Sequence, residues 1–131
     1  MIRNRRSTRP TPGELALLRV LWTRGPSTVR EVRDAFPEGE GTGYTTVLKL
    51  LQIMTGKGLV ERDDSQRAHV YRARSSEEET QSRLVGDLMD RAFSGSAGKL
   101  VVQALSSRPA TREELAEIRR MLDALEGEEE R

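Results

Sequence analysis

Four side chains in this 131-residue sequence have types and spacing that point to chemistry: Thr45, Thr46, Lys49 and Gln52. They lie one, four and seven residues apart from the first, which on a helix puts them on one side. Hydroxyl, ammonium and amide groups can donate to phosphate oxygens or reach base edges, and none of the four is a carboxylate that would repel a nucleic-acid backbone. The other side of the same helix carries Val47, Leu50, Leu51 and Met54 at the spacing of an apolar face. Gly56 and Gly58 are expected to stop it. From these residues alone, an ordinary surface helix with a solvated face fits equally well.

The elements that must hold this helix are legible on either side. Thr11-Pro12-Gly13-Glu14 sets a hydroxyl at the N-cap, proline at the first helical position and glutamate at the third, opening a helix whose apolar face is Leu15, Leu18, Leu21 and Trp22. Gly25-Pro26 ends it, with glycine in a left-handed cap. Thr28 and Glu31 repeat the capping signature for a short second helix carrying Val29, Val32 and Phe36, which should end before Pro37. Residues 38–43 form a polar, glycine-rich turn into the third helix. This succession makes a helix-turn-helix.

Beyond Gly58, Leu59–Arg62 and Arg67–Arg72 alternate in the manner of strands, separated by the turn composition Asp63-Asp64-Ser65-Gln66. One hairpin after a helix-turn-helix is the winged-helix arrangement, with the third helix entering the major groove and Gln66 and Arg67 near the hairpin tip. His69 is expected to share a strand face with Arg67 and Tyr71, as a half-exposed strand residue rather than a ligand or proton switch.

The remainder is helical. Ser76-Glu77-Glu78-Glu79 caps a fourth helix with the apolar residues Leu84, Val85, Leu88, Met89, Ala92 and Phe93, and Ser94-Gly95-Ser96 breaks it. A fifth, about 97–106, carries Leu100, Val101, Ala104 and Leu105; Thr111 and Glu114 cap a sixth carrying Leu115, Ile118, Met121, Leu122 and Leu125. Three amphipathic helices in about 55 residues bury little apolar area alone, and pairing with a second copy would remedy that. The acidic polar faces disfavour a membrane-surface helix.

Composition narrows the function classes. Residues 1–75 hold 14 Lys and Arg against 8 Asp and Glu, whereas residues 76–131 hold 8 against 13, so the first part is the one suited to a polyanion. Arg3, Arg5, Arg6 and Arg9, unaccompanied by an acid, read either as a basic arm adding phosphate or minor-groove contacts or as an uncommitted tail. The absence of cysteine removes disulfides, thiolate metal sites and a cysteine nucleophile, and the one histidine removes a multi-histidine metal site within a chain. No cofactor is expected. No apolar run reaches the roughly 18 residues of a membrane span and no signal peptide is evident, so a cytoplasmic location is expected. No nucleophile, acid-base and orienting-group set suggests an enzyme, and Asp63 and Asp64 read as solvated turn formers.

With these residues in place the sequence resembles the penicillinase-repressor family of bacterial winged-helix regulators, which includes methicillin-resistance and copper-responsive repressors. The resemblance covers about residues 11–125. It rests on Thr-Pro-Gly-Glu-Leu followed by Leu21-Trp22, on Thr28-Val29-Arg30-Glu31-Val32, on Tyr44-Thr45-Thr46-Val47-Leu48, on Lys57-Gly58-Leu59-Val60 and on Arg67-Ala68-His69-Val70-Tyr71. It implies a mainly α fold with a small β-hairpin, a winged helix-turn-helix over 11–75 and a C-terminal helical dimerisation region over 76–125, flanked by the arm 1–10 and a frayed acidic tail 126–131. It also implies repression of transcription by a homodimer on palindromic double-stranded operator DNA. On matching positions, Thr45, Thr46 and Lys49 would be recognition-helix contacts, Ser27 and Thr28 would hold phosphate at the start of the second helix, and Arg67 would reach from the wing. Discrimination is expected from the exposed face of residues 44–52, which begins at Tyr44.

Dimerisation is expected through Leu84, Leu88, Phe93, Leu100, Val101, Leu105, Leu115, Ile118 and Leu122. In some branches of the family a membrane sensor triggers cleavage at an Asn-Phe pair in the dimerisation region, where this sequence has Gln103-Ala104; cleavage there by the same recognition is not expected, and a sensor or another protease acting at that or a neighbouring bond stays open. Copper-branch induction uses C-terminal cysteines, which this sequence lacks. The competing reading is a winged-helix module that docks its basic part on an acidic protein partner.

Overall fold

The computed structural model describes residues 9–36 and 43–129. Six helices and three short strands follow one another as α1 (Pro12–Arg24), β1 (Ser27–Thr28), α2 (Val29–Ala35), α3 (Tyr44–Lys57), β2 (Val60–Asp63), β3 (Val70–Ala73), α4 (Glu77–Ala92), α5 (Ala97–Ser107) and α6 (Arg112–Glu129). The strands form one antiparallel sheet in the order β1-β3-β2. Three helices, the third followed by a small sheet, make a winged helix; the mainly helical expectation holds. The chain divides into two compact units, and the boundary falls inside α4 between Arg83 and Leu84.

The first unit closes a core of its own. Leu17, Leu18 and Leu21 of α1, Val29 and Val32 of α2, Val47, Leu51 and Met54 of α3, Val60 of β2 and Tyr71 of β3 are all buried in one cluster. The apolar face of α1 is therefore rotated by one residue from the one the sequence suggests: Leu17 is fully buried and Leu15 only partly so. The residue that rotates it is Glu14, buried in the same stripe one turn before Leu17 and Leu18. Its carboxylate Oε1 accepts from the Thr11 backbone amide at 2.9 Å and from Lys57 Nζ at 2.8 Å. A buried charge persists only when so matched, and the match ties the start of α1 to the last turn of α3.

Helix ends follow the expected caps with one exception. Thr11–Glu14, Thr28–Glu31, Ser76–Glu79 and Thr111–Glu114 each form the reciprocal box, and the Ser96 hydroxyl accepts from the Lys99 amide. At α3 the N-cap is Gly43, which has no side chain to offer. Gly58, at φ 83° and ψ 17°, ends α3 in the left-handed conformation and its amide donates to the Met54 and Thr55 carbonyls. Gly56 is an interior helical residue, not a stop. Gly25 has a positive φ as expected, but with ψ −170° rather than a left-handed helical value.

The sheet departs from expectation in two respects. First, Ser27 and Thr28 form a strand on the outer side of β3, opposite Tyr71 and Val70. Second, β2 starts and ends one residue later than expected and β3 is two residues shorter and starts three residues later, so that residues 64–69 form an open tip. Arg67 and His69 thus lie outside β3 and are exposed, while Tyr71 is 1% exposed and belongs to the core, so the three do not share a strand face. Side-chain bonds hold the tip open: Asp63 Oδ1 accepts from the Ser65 amide at 2.9 Å, and Asp64 Oδ1 meets both Arg62 Nε at 2.8 Å and His69 Nδ1 at 2.7 Å. These local bonds compete with strand pairing.

In the second unit, residues 84–128 contribute no buried residue. Residues 126–129 continue α6 where a frayed tail was expected. The arm residues Arg3, Arg5 and Arg6, the turn residues 38–42 and residues 130–131 lie outside the described residues.

Candidate nucleic-acid interface

The outer side of α3 is a polar surface on an apolar anchor. Val47, Leu51 and Met54 are 0% exposed and Leu50 is half-buried, whereas Thr45, Thr46, Lys49 and Gln52 are exposed. No acidic side chain belongs to α3. With glycine at its N-cap, the first-turn amides of α3 have no side-chain acceptor among the described residues, in contrast to the five capped helices. Those donors and the positive end of the helix dipole suit an anionic oxygen. Tyr44, at the first helical position, is 47% exposed.

Helix α3 is fixed at its far end. Lys57 Nζ bonds Glu14 Oε1 at 2.8 Å and the Arg9 carbonyl at 3.3 Å, with 16% of the lysine and 3% of the glutamate side chain exposed. Sequence reasoning used Glu14 only as a cap and gave Lys57 no role. The signal was present: Glu14 precedes Leu17, Leu18 and Leu21 at apolar-stripe spacing, so its burial required a cation.

Ser27 and Thr28 sit differently from the phosphate-holding pair the resemblance implies. Ser27 is 1% exposed and its hydroxyl donates to the Gly25 carbonyl at 2.8 Å, so its side chain shapes the turn and is not placed to meet a phosphate. Thr28 Oγ1 accepts from the Glu31 amide at 3.2 Å at the start of α2, and its residue is half-buried.

At the wing, Arg67 is exposed and makes no ion pair among the described residues; Lys49 is in the same condition. The other wing cations are engaged, Arg62 with Asp64 and Arg72 with Glu61 at 2.6 Å across the strands. The hydrogen bond to Asp64, and then that to Tyr71, raises the Arg62 pKa above its ordinary value. Hydrogen bonds from the Ser65 amide and hydroxyl hold the Asp63 carboxyl below the usual range. Among the described residues no cluster of three or more His, Cys, Asp or Glu could hold a metal ion.

This surface, on a winged helix of this order, agrees with the outcome of comparison with known proteins: the penicillinase repressor family profile matches residues 10–124. The chain belongs to the penicillinase repressor family. Proteins named transcriptional regulator BlaI, from Mycobacterium tuberculosis strains CDC 1551 / Oshkosh and ATCC 25618 / H37Rv, are each 35% identical to it over 80 residues. That stretch is 60% of this chain and 58% of each relative, so the likeness spans little more than half of the regulators it matches. The family is that of a repressor and the relatives are named as regulators of transcription.

This repressor-family chain also places the nine residues expected in dimerisation. Leu84, Phe93, Leu100, Leu115 and Ile118 are half-buried within the second unit, while Leu88, Val101, Leu105 and Leu122 are 48, 42, 39 and 54% exposed. Val85, Val102, Met121 and Leu125 add to the exposed apolar surface. Gln103 and Ala104 lie inside α5, both exposed. No helix among the described residues is long and apolar enough to cross a membrane.

Proposed function

We propose that this chain is a transcriptional repressor that binds an inverted-repeat operator as a homodimer in the cytoplasm. The observation that carries the reading is α3: an exposed, acid-free face of Thr45, Thr46, Lys49 and Gln52, opened by an uncapped N-terminus and backed by an apolar side on which Val47, Leu51 and Met54 are fully buried. Affinity comes mainly from cations against phosphate, with Lys49 on the helix and Arg67 on the wing, and from α3's first-turn amides. Thr28 supplies a further backbone contact through the exposed start of α2. Discrimination comes from the face that begins at Tyr44 and continues through Thr45, Thr46, Lys49 and Gln52.

The unburied apolar faces of α4, α5 and α6 support the dimer, since such area in water favours association. Symmetric pairing sets two α3 helices about one turn of DNA apart, or a multiple of it. Release from DNA then requires a signal that separates the copies. Cleavage within α5 by a protease of different recognition, at Gln103-Ala104 or a neighbouring bond, is one such signal, and because this segment is helical, α5 must unwind locally before a protease can take it.

A gel-shift titration over salt tests the reading, with promoter DNA from the chain's own locus against scrambled DNA. Preference for the promoter that persists as salt rises supports repression at an operator. Indifference to sequence at every salt concentration would favour instead a winged-helix module that docks on an acidic protein.

A further inference from the structure

Exposed isoleucines are common enough to mean nothing singly, but the distribution here is uneven. Among the described residues of the first unit, the large apolar side chains left exposed are Tyr44 at 47% and Ile53 at 43%, and both belong to α3. Ile53 is absent from the hydrophobic cluster that Leu48 and Leu50 of the same helix pack against. Four residues after Lys49 and seven after Thr46, it continues their strip on the outer face, next to Gln52. Seven residues of helix rise about 10 Å, close to three base-pair steps, so Thr46 and Ile53 can address different pairs of one half-site.

A branched alkyl group in a major groove has one apolar partner among the base edges, the 5-methyl of thymine. We propose that Ile53 is a specificity-determining residue that packs on a thymine 5-methyl group in each operator half-site. The inference rests on the DNA-binding reading of α3 and adds a base-level contact to it. Gln52 at its side can pair with an adenine through two hydrogen bonds, so the end of the strip near Ile53 favours A·T pairs.

The test begins with duplexes that the full-length chain selects from a random-sequence pool. Each thymine of the selected half-site is then replaced by uracil, which removes the methyl group and keeps every hydrogen-bonding atom. For the unmodified protein, the replacement in one half-site should weaken binding about fourfold, the worth of one buried methyl group, and in both half-sites about fifteenfold. Ile53→Ala should bind the thymine duplex correspondingly less well and be insensitive to the replacement, while Ile53→Val should keep the sensitivity. Since Ile53 lies outside the core cluster, both variants should match the parent in thermal stability. If the protein selects a defined site yet no uracil replacement matters, or matters equally with Ile53→Ala, the contact does not exist although the DNA-binding reading stands. If the pool yields no preferred sequence at all, that reading fails and the contact falls with it.

Discussion

The two units of this chain use one kind of building block to opposite ends. Up to Arg83, amphipathic helices turn their apolar sides on one another and on the sheet, and ten hydrophobic side chains are buried among the described residues. From Leu84 onward the helices are more strongly amphipathic in sequence, yet among residues 84–128 none is buried and Met121, Leu122 and Leu125 stay more than half exposed. Amphipathicity therefore marks that a helix has a face to cover without saying whether its own chain covers it. A first unit that completes itself can carry a finished reading surface, while a second that does not is suited to joining copies.

The largest effect that could break this contrast is a charge on the uncovered face. Leu122→Glu leaves the single chain intact, because the site is exposed, but forces two unpaired carboxylates into the proposed interface at a cost of about 3 kcal/mol or more per copy. Sedimentation should show monomers, and the melting temperature should cease to depend on protein concentration. An unaltered dimer would remove this face from the interface. In the first unit, Leu51→Ala should cost about 2–5 kcal/mol through the cavity it leaves, with the same loss at every protein concentration. Denaturant titration at two concentrations separates that behaviour from the first.

Lys57→Met sharpens the contrast from within the core, stranding the buried Glu14 carboxylate at a cost of about 3 kcal/mol. Pairing it with Glu14→Gln should restore much of the stability, as a double-mutant cycle followed by thermal melts can show. Lys49→Ala should leave stability alone, weaken operator binding at least about tenfold, and flatten the dependence of log affinity on log salt by about one unit per half-site, or about two for the dimer. Filter binding across a salt series gives both numbers. The smallest effect concerns Glu79, whose carboxyl is held low by the Ser76 amide and hydroxyl at the start of α4. A lowered carboxyl pKa adds stability that is present above the ordinary value near 4.5 and is lost as pH falls through the folded one. Glu79→Gln should therefore lower stability slightly at neutral pH and change little at pH values well below the folded pKa, so that the acid-induced loss shrinks, which acid titration by circular dichroism can follow.

Much of this organisation was legible because it is local. Capping pairs three residues apart, the Gly58 stop and the apolar faces of α3 and α6 depend on neighbours in the chain, and each could be read off directly. What escaped is non-local. The alternation of Arg67, His69 and Tyr71 mimics a strand, but Asp64 gathers Arg62 and His69 and keeps the tip open, an outcome invisible to a period-two pattern. Strand β1 exists because β3 lies beside it, not because Ser-Thr favours a strand. The buried face of α1 includes a glutamate only because a lysine 43 residues later meets it. On the candidate interface, the polar side chains of α3 announce themselves by type, whereas nothing in the sequence alone marks Ile53, whose exposure follows from how the helix packs.

The central claim is that two chains, joined through α4–α6, present two copies of α3 to a symmetric duplex. Native mass spectrometry of the full-length protein mixed with an inverted-repeat duplex from its own promoter, and with the corresponding single half-site, tests it most directly. The account predicts two chains per inverted-repeat duplex with no one-chain complex accumulating, and weak occupancy of the half-site. One chain per duplex, bound equally well to whole and half-site, would contradict it.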